Sequence, residues 1–283
     1  MASFVTPLRY PGGKGRLGQW LAELMRHNKI SGGWYIEPYA GGAGAAIFLL
    51  LKGYVNHIVI NDADPVIYAF WKAVIDDNKR LIQLIKDTPV TIENWYRQRE
   101  VIASPSNYEP TEVGFATFFL NRTNRSGILS GGVIGGKNQN GPYALNARFN
   151  KEDLCARIEK LGTMRTSIDV YGLDAMDLVR TIRDNLPEKS LIYFDPPYYK
   201  KGSQLYRNHY VPEDHADIAE VVCNLDIPWL VTYDNCDEIK NLYSSVETVE
   251  FSLHYSTHLS RPKATEVMFY KGLQLHEEPQ LRR

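Results

Sequence analysis

The residues best suited to chemistry sit where an apolar run stops. Leu191-Ile192-Tyr193-Phe194 reads as a buried strand that ends in Asp195-Pro196-Pro197-Tyr198-Tyr199. Two successive prolines fix φ, keep Asp195 and Pro196 extended and contribute no N–H, so the Asp195 carboxylate and the Pro196 carbonyl can both face a pocket as acceptors. Tyr198 follows with a ring that can stack on a planar base. Two acceptors beside a ring make a receptor for an amino group on a heteroaromatic ring. Beyond them, the stretch from Tyr199 to Tyr210 carries no acid and interleaves Lys200, Lys201 and Arg207 with tyrosines. That composition suits a loop meeting phosphates and unstacked bases.

A second constellation runs from Tyr35-Ile36-Glu37-Pro38-Tyr39-Ala40 into Gly41-Gly42-Ala43-Gly44 and then an apolar helix. A glycine-rich turn after a first strand is where doubly wound folds place a nucleotide-like cofactor, although the G-x-G-x-x-G spacing of dinucleotide sites is absent. Asp62, eighteen residues beyond Gly44 at the end of the next strand, suits a carboxylate gripping ribose hydroxyls. Tyr10-Pro11-Gly12-Gly13-Lys14-Gly15 is not a P-loop, because Gly15 and Leu8 stand where Ser/Thr and the first glycine are needed. It still offers an aromatic and a lysine to one wall of a pocket. His209, His215, His254 and His258 show no zinc-binding spacing, and no G-x-S-x-G elbow is present, so neither a metal nor a serine hydrolase is expected.

These groups need elements to hold them. Strand-like runs at 34–36, 57–60, 191–194 and 228–233 alternate with helical patterns at 17–25, 45–51, 65–75 and 212–225, which predicts a largely parallel, doubly wound α/β sheet. Val246 to Tyr255 and Thr265 to Lys271 read as a closing antiparallel pair, and the tail after Gly272 as a frayed end. Between 76 and 165 the pattern changes to helical stretches at 79–85 and 92–102, followed by a turn-rich segment from Asn124 to Phe149 suited to hairpins or an ordered loop. That region reads as an insertion. Residues 121–165 carry eight Lys or Arg against three acids, a local positive excess. The whole chain of 283 residues, 44% hydrophobic with net charge −1, shows no such bias, so an anionic partner must be met by a patch. Three unpaired cysteines, no secretory leader and no long apolar run point to a cytoplasmic protein without a membrane partner.

Taken together, the motifs resemble those of the Dam-type DNA adenine methyltransferases of the alpha group, over most of the chain. Tyr10-Pro11-Gly12-Gly13-Lys14 resembles the family's amino-terminal motif, Glu37-Pro38-Tyr39-Ala40-Gly41-Gly42 its cofactor motif, Asn61-Asp62 its ribose-binding segment and Asp195-Pro196-Pro197-Tyr198 its catalytic motif. Phe118-Phe119-Leu120-Asn121-Arg122 resembles the start of its recognition hairpin. The resemblance implies a Rossmann-like class I S-adenosylmethionine-dependent methyltransferase sheet, formed by residues 1–75 and 166–283, with 76–165 as a helical and hairpin target-recognition insertion. It implies S-adenosylmethionine held by Tyr10, Lys14, Glu37, Pro38, Gly41, Asp62 and Asp195, and catalysis by Asp195, Pro196 and Tyr198. Double-stranded DNA would be held by Asn121, Arg122, Arg125, Lys137, Arg148, Lys200 and Lys201. The implied reaction is site-specific methyl transfer to the exocyclic amino group of adenine by a monomer or weak dimer, with a matching restriction endonuclease as a candidate partner. Arg125, Ser126 and Ser130 stand where members reading G-A-T-C carry other residues, so that specificity does not carry over. The alternatives are methylation of RNA or of a protein amide, and a non-catalytic DNA-binding relative.

Overall fold

The computed structural model describes residues 6–10, 14–200, 210–254 and 263–279. In chain order the elements are α1 (Gly18–His27), β1 (Trp34–Glu37), α2 (Gly44–Leu51), β2 (His57–Asn61), α3 (Pro65–Asp76), α4 (Asn78–Asp87), α5 (Ile92–Ala103), α6 (Pro110–Thr123), α7 (Lys151–Gly162), β3 (Ile168–Tyr171) and α8 (Ala175–Ile182). They continue with β4 (Ser190–Phe194), α9 (Pro212–Cys223), β5 (Trp229–Asp234), α10 (Asp237–Leu242), β6 (Glu247–His254) and β7 (Lys263–Lys271). The strands form one sheet in the order β3-β2-β1-β4-β5-β7-β6. The first five run parallel, and β7 lies antiparallel between β5 and β6. The order reverses between β1 and β4, and that reversal opens a crevice at the carboxyl ends of the strands.

Strand side chains alternate between the two faces, as a period of two requires. Tyr35, Ile58, Leu191, Tyr193 and Leu230 join one core, while Ile36, Val59, Ile192, Phe194 and Val231 join the other. Helices cover both faces, so the central strands read as continuous apolar runs. The second face is closed by α8, α9 and α10. The first is closed by α1, α2 and α3, and its apolar interior runs on without a break through α4 to α7, where Trp95, Phe118, Phe119 and Ile158 share it. Among the described residues, no helix is long and apolar enough to cross a membrane.

The structure departs from the sequence reading in two places. Phe118–Arg122 lies in the last turns of α6 and does not open a hairpin. Pro110 occupies the first turn, the Glu112 carboxylate accepts the Glu109 N–H at 3.3 Å, and the helix then runs to Thr123. Of the two alternatives for the segment from Asn124 to Phe149, hairpins or an ordered loop, the structure holds the ordered loop, with one isolated antiparallel bridge, Asn124 to Val133. The described part of the tail, residues 273–279, is docked on α1 and is not frayed. The Asn28 side chain donates Nδ2 to the Gln274 carbonyl at 2.9 Å and accepts the Gln274 backbone N–H on Oδ1 at 2.8 Å, Trp20 Nε1 donates to the Glu277 carbonyl at 3.2 Å, and Leu273 is buried.

At the crevice, the buried side chain of Asn61 binds three strand ends together. Its Nδ2 donates to the carbonyls of Pro38 at 2.9 Å and Leu173 at 3.0 Å, and its Oδ1 accepts from Leu173 N at 2.9 Å. Asn61→Ala orphans these buried groups. It is expected to lower stability by about 2–4 kcal/mol, read as a lower urea midpoint at unchanged m-value.

Candidate active site

Asp195 follows β4 directly, at the centre of the crevice. Its Oδ1 accepts from Lys14 Nζ at 2.7 Å and from Thr232 Oγ1 at 2.9 Å, and Thr232 is in turn bonded to the Tyr193 hydroxyl at 2.8 Å. Both hydrogen bonds fall on one oxygen, and among the described residues Oδ2 has no donor. The Lys14 side chain is only 5% exposed, and its ammonium also lies 3.5 Å from Glu266 Oε2 and 5.6 Å from the centre of the Tyr198 ring. Glu266 is buried in β7 and accepts the Tyr198 hydroxyl. Pro196 and Pro197 have no N–H, and beyond Tyr198 the backbone fixes the turn: Tyr199 N and Lys200 N donate to the two oxygens of Asp234 at 2.9 and 3.1 Å. Pro196 is buried, and no described group donates to its carbonyl.

A second cluster forms at the ends of β1 and β2. Gly41 (φ 47°) and Ala43 (φ 46°) both adopt left-handed conformations to turn the chain into α2. A Cβ at Gly41 would come within 2.7 Å of the Tyr10 ring, so Tyr10 covers this turn and requires glycine there. Trp71 Nε1 bonds the Gly41 carbonyl at 2.9 Å. Asp62 takes the N–H groups of Gly41 and Asp64, one on each oxygen, at 2.9 Å. Burial pushes its carboxyl up to about 7. Glu37, buried, accepts from Ala46 N at 3.2 Å at the start of α2, and burial pushes its carboxyl up to about 8. The predicted cofactor residues Tyr10, Lys14, Glu37, Pro38, Gly41, Asp62 and Asp195 therefore converge on one end of the sheet.

The predicted DNA-facing residues do not all share one surface. Asn121 is a buried clamp, because its side chain accepts from Arg9 N and donates to the carbonyls of Arg9 and Gly127 at 2.7–2.9 Å. Arg122 is mostly buried, and burial together with the neighbouring Arg157, Arg9 and Arg148 lowers its guanidinium to about 10. Arg125, Lys137 and Arg148 are exposed on the 124–149 loop, with Lys137 Nζ 5.8 Å from the Tyr96 ring centre. Lys200 is exposed and lies 3.5 Å from Glu238, while Lys201 falls outside the described residues.

The family model for D12 class N6 adenine-specific DNA methyltransferases matches residues 10–260, and so spans both clusters and the intervening helices. The chain belongs to that family. Its members methylate adenine in DNA with S-adenosylmethionine as donor, and this chain is an enzyme of that kind. The Type II methyltransferase M.MjaIII of Methanocaldococcus jannaschii is 24% identical over 227 residues, covering 76% of each chain. Among solved structures, PH1948 of Pyrococcus horikoshii, a candidate RNA methyltransferase, aligns with a TM-score of 0.42 at 10% identity over 93% of this chain and 84% of that one. A SAM-dependent methyltransferase of Agrobacterium tumefaciens aligns with a TM-score of 0.38 at 9% identity, over 91% and 62%.

Thr232, Asp234 and Glu266 were not legible as site residues of this methyltransferase. A polar residue within each apolar run, Thr232 in 229–233 and Glu266 in 264–270, was the available signal. The buried Glu37 carries a pH signature. Its carboxyl titrates near 8 in the fold against an ordinary 4.5, so the folded state holds a proton that the unfolded chain releases. The resulting stabilisation is complete below about pH 4.5 and is lost as pH rises to about 8. Glu37→Gln is expected to flatten the fall of stability across that window by up to about 1 kcal/mol per pH unit, measured by urea denaturation at several pH values. An unchanged slope would show that Glu37 is not protonated in the fold.

Proposed function

We propose that Asp195 and the Pro196 carbonyl bind the amino group of an adenine flipped from the duplex, with the Tyr198 ring against its face. The observation that carries this reading is the one-sided bonding of Asp195: Lys14 and Thr232 fix Oδ1 and leave Oδ2 as an acceptor, and the carbonyl of the next residue, Pro196, takes no donor among the described residues. A carboxylate is too weak a base to deprotonate an arylamine in the ground state. Its contribution is to position. Accepting both amino protons draws the nitrogen lone pair out of conjugation and aims it out of the ring plane. Asp195 Oδ2 then takes the proton that the nitrogen sheds as its new bond to carbon forms. The target amino group is paired inside duplex DNA, so the base must leave the stack to reach this site.

S-adenosylmethionine would supply an electrophilic methyl on its sulfonium centre, whose carbon–sulfur bond would break with the electron pair staying on sulfur as a neutral thioether. The residues at the ends of β1 and β2 fit this molecule: the Gly41-Gly42 turn under Tyr10 admits close approach that a Cβ would block, and Asp62 offers acceptors to ribose hydroxyls. Asp195 supplies a negative charge toward a cationic ligand and Lys14 a cation toward its carboxylate, while Glu37 and Asp62, whose carboxyls burial raises, supply hydrogen-bonding groups.

Residues 76–165 are proposed to contain the target-recognition region, with exposed Arg125 reading base edges and Lys137, Arg148 and Lys200 holding phosphates. Arg9 and Arg157 add to the positive field around Arg122, which supports DNA approaching this side. The similarity to a Type II methyltransferase supports pairing with an endonuclease of the same site, in the cytoplasm where the DNA lies.

Purified protein incubated with unmethylated DNA and isotope-labelled S-adenosylmethionine is expected to yield labelled N6-methyladenine. Asp195→Asn should keep cofactor binding and lose turnover on the order of 10²–10³-fold. Wild-type turnover in that variant would remove Asp195 from the mechanism. Across a randomised DNA pool, Arg125→Ala should change the preferred site, whereas Arg148→Ala should weaken all sites together and reduce the salt dependence. An unchanged preference in Arg125→Ala would assign base reading to other residues.

A further inference from the structure

Against α1, the docked tail brings a histidine between two carboxylates. His276 Nε2 lies 3.6 Å from Glu23 Oε2 and 3.6 Å from Glu277 Oε1. Both separations exceed hydrogen-bond length, and neither ring nitrogen of His276, though buried, has a hydrogen-bond partner. The three donor atoms all lie within 4.8 Å of one another. Tetrahedral zinc with bonds of about 2.0–2.1 Å holds its ligand atoms about 3.3–3.4 Å apart, close to the two separations measured from Nε2.

Two further features suit an ion. Gln19 Nε2 donates to Glu23 Oε1 at 2.9 Å, which orients that carboxylate and turns Oε2 toward the histidine. His27 stands one helical turn from Glu23, on the same face of α1. Its ring centre is 6.2 Å from that of His276, and it borders the same cleft of about 270 Å³. Either His27 or water can fill a fourth position. Arg26 also lines the cleft. Its charge disfavours ions bound by charge alone, and the imidazole donor favours borderline metals over Mg²⁺ or Ca²⁺.

We propose that Glu23, His276 and Glu277 form a site for a divalent transition ion of the zinc class, which clips the carboxyl-terminal tail to α1. The ion is structural: it bridges residues from two ends of the sequence and takes no part in methyl transfer.

The test uses the full chain stripped with a chelator, titrated with Co²⁺ and followed by its visible absorption, with Zn²⁺ as competitor. One equivalent of Co²⁺ should bind, be displaced by Zn²⁺ and not by Mg²⁺, and slow hydrogen exchange in residues 273–279. His276→Ala and Glu23→Gln should each remove this binding and the exchange protection, while methyl transfer stays at the wild-type level. Should His276→Ala fail to fold, Glu277→Gln decides instead. The proposal is overturned if the wild-type chain shows no saturable Co²⁺ binding, or if the variants bind as the wild type does.

Discussion

The structure turns on one buried ammonium. Lys14 is held away from water between Asp195, which follows β4, and Glu266, in β7. A charge in that position is tolerated only when paired, and removing either partner type leaves an uncompensated charge in the interior. The cation therefore ties the amino-terminal segment to the Asp195 turn and to the antiparallel strand beside β5. It also decides which face of Asp195 is used, because Oδ1 is taken by the lysine and by Thr232. Glu266 joins Tyr198 to the same cluster, so the ring beside the acceptor pair and the pair itself share one support.

A second linkage runs from the glycine turn before α2 to the loop that carries exposed Arg125, Lys137 and Arg148. Tyr10 covers the Gly41-Gly42 turn, and the preceding residue, Arg9, is bonded on both backbone groups by Asn121 at the end of α6. Gly127 packs so closely on Arg9 that a Cβ there would come within 2.2 Å of the Arg9 carbonyl. Asn124 extends the chain of contacts. Its Oδ1 accepts from Trp95 Nε1 at 2.7 Å, and its Nδ2 donates to the carbonyls of Ile128 and Leu129 at 2.9 Å. The cover over the turn and the start of the 124–149 loop are thus held by a few shared side chains within one continuous core.

Much of the fold was legible because its signals are local. The central strands are apolar runs ending in turn residues, and α2, α3 and α9 begin at a glycine or a proline. The elements that escaped have local reasons too. Phe115 to Leu120 is apolar on every side because α6 is buried almost all round, so no amphipathic period marks it. β3 is a four-residue edge strand with only Ile168 buried. The tail is polar, and it docks through Asn28, a residue 246 positions away in sequence.

By itself, the sequence determined the chemical inventory: Asp195 and its prolines at a strand end, the glycine turn, Asp62, and the order in which they occur. Backbone constraints on proline and glycine act within a few residues, so they can be read without knowing the fold. Tertiary structure alone decided which oxygen of Asp195 is tied, that Glu266 and Thr232 serve the site, and that Asn121 is a clamp. It also decided that a lysine and two carboxylates far apart in sequence share one cluster, with Lys14 and Glu266 buried and Asp195 half-buried. Burial and charge pairing depend on what lies across space, and that is set only when the strands take their order in the sheet.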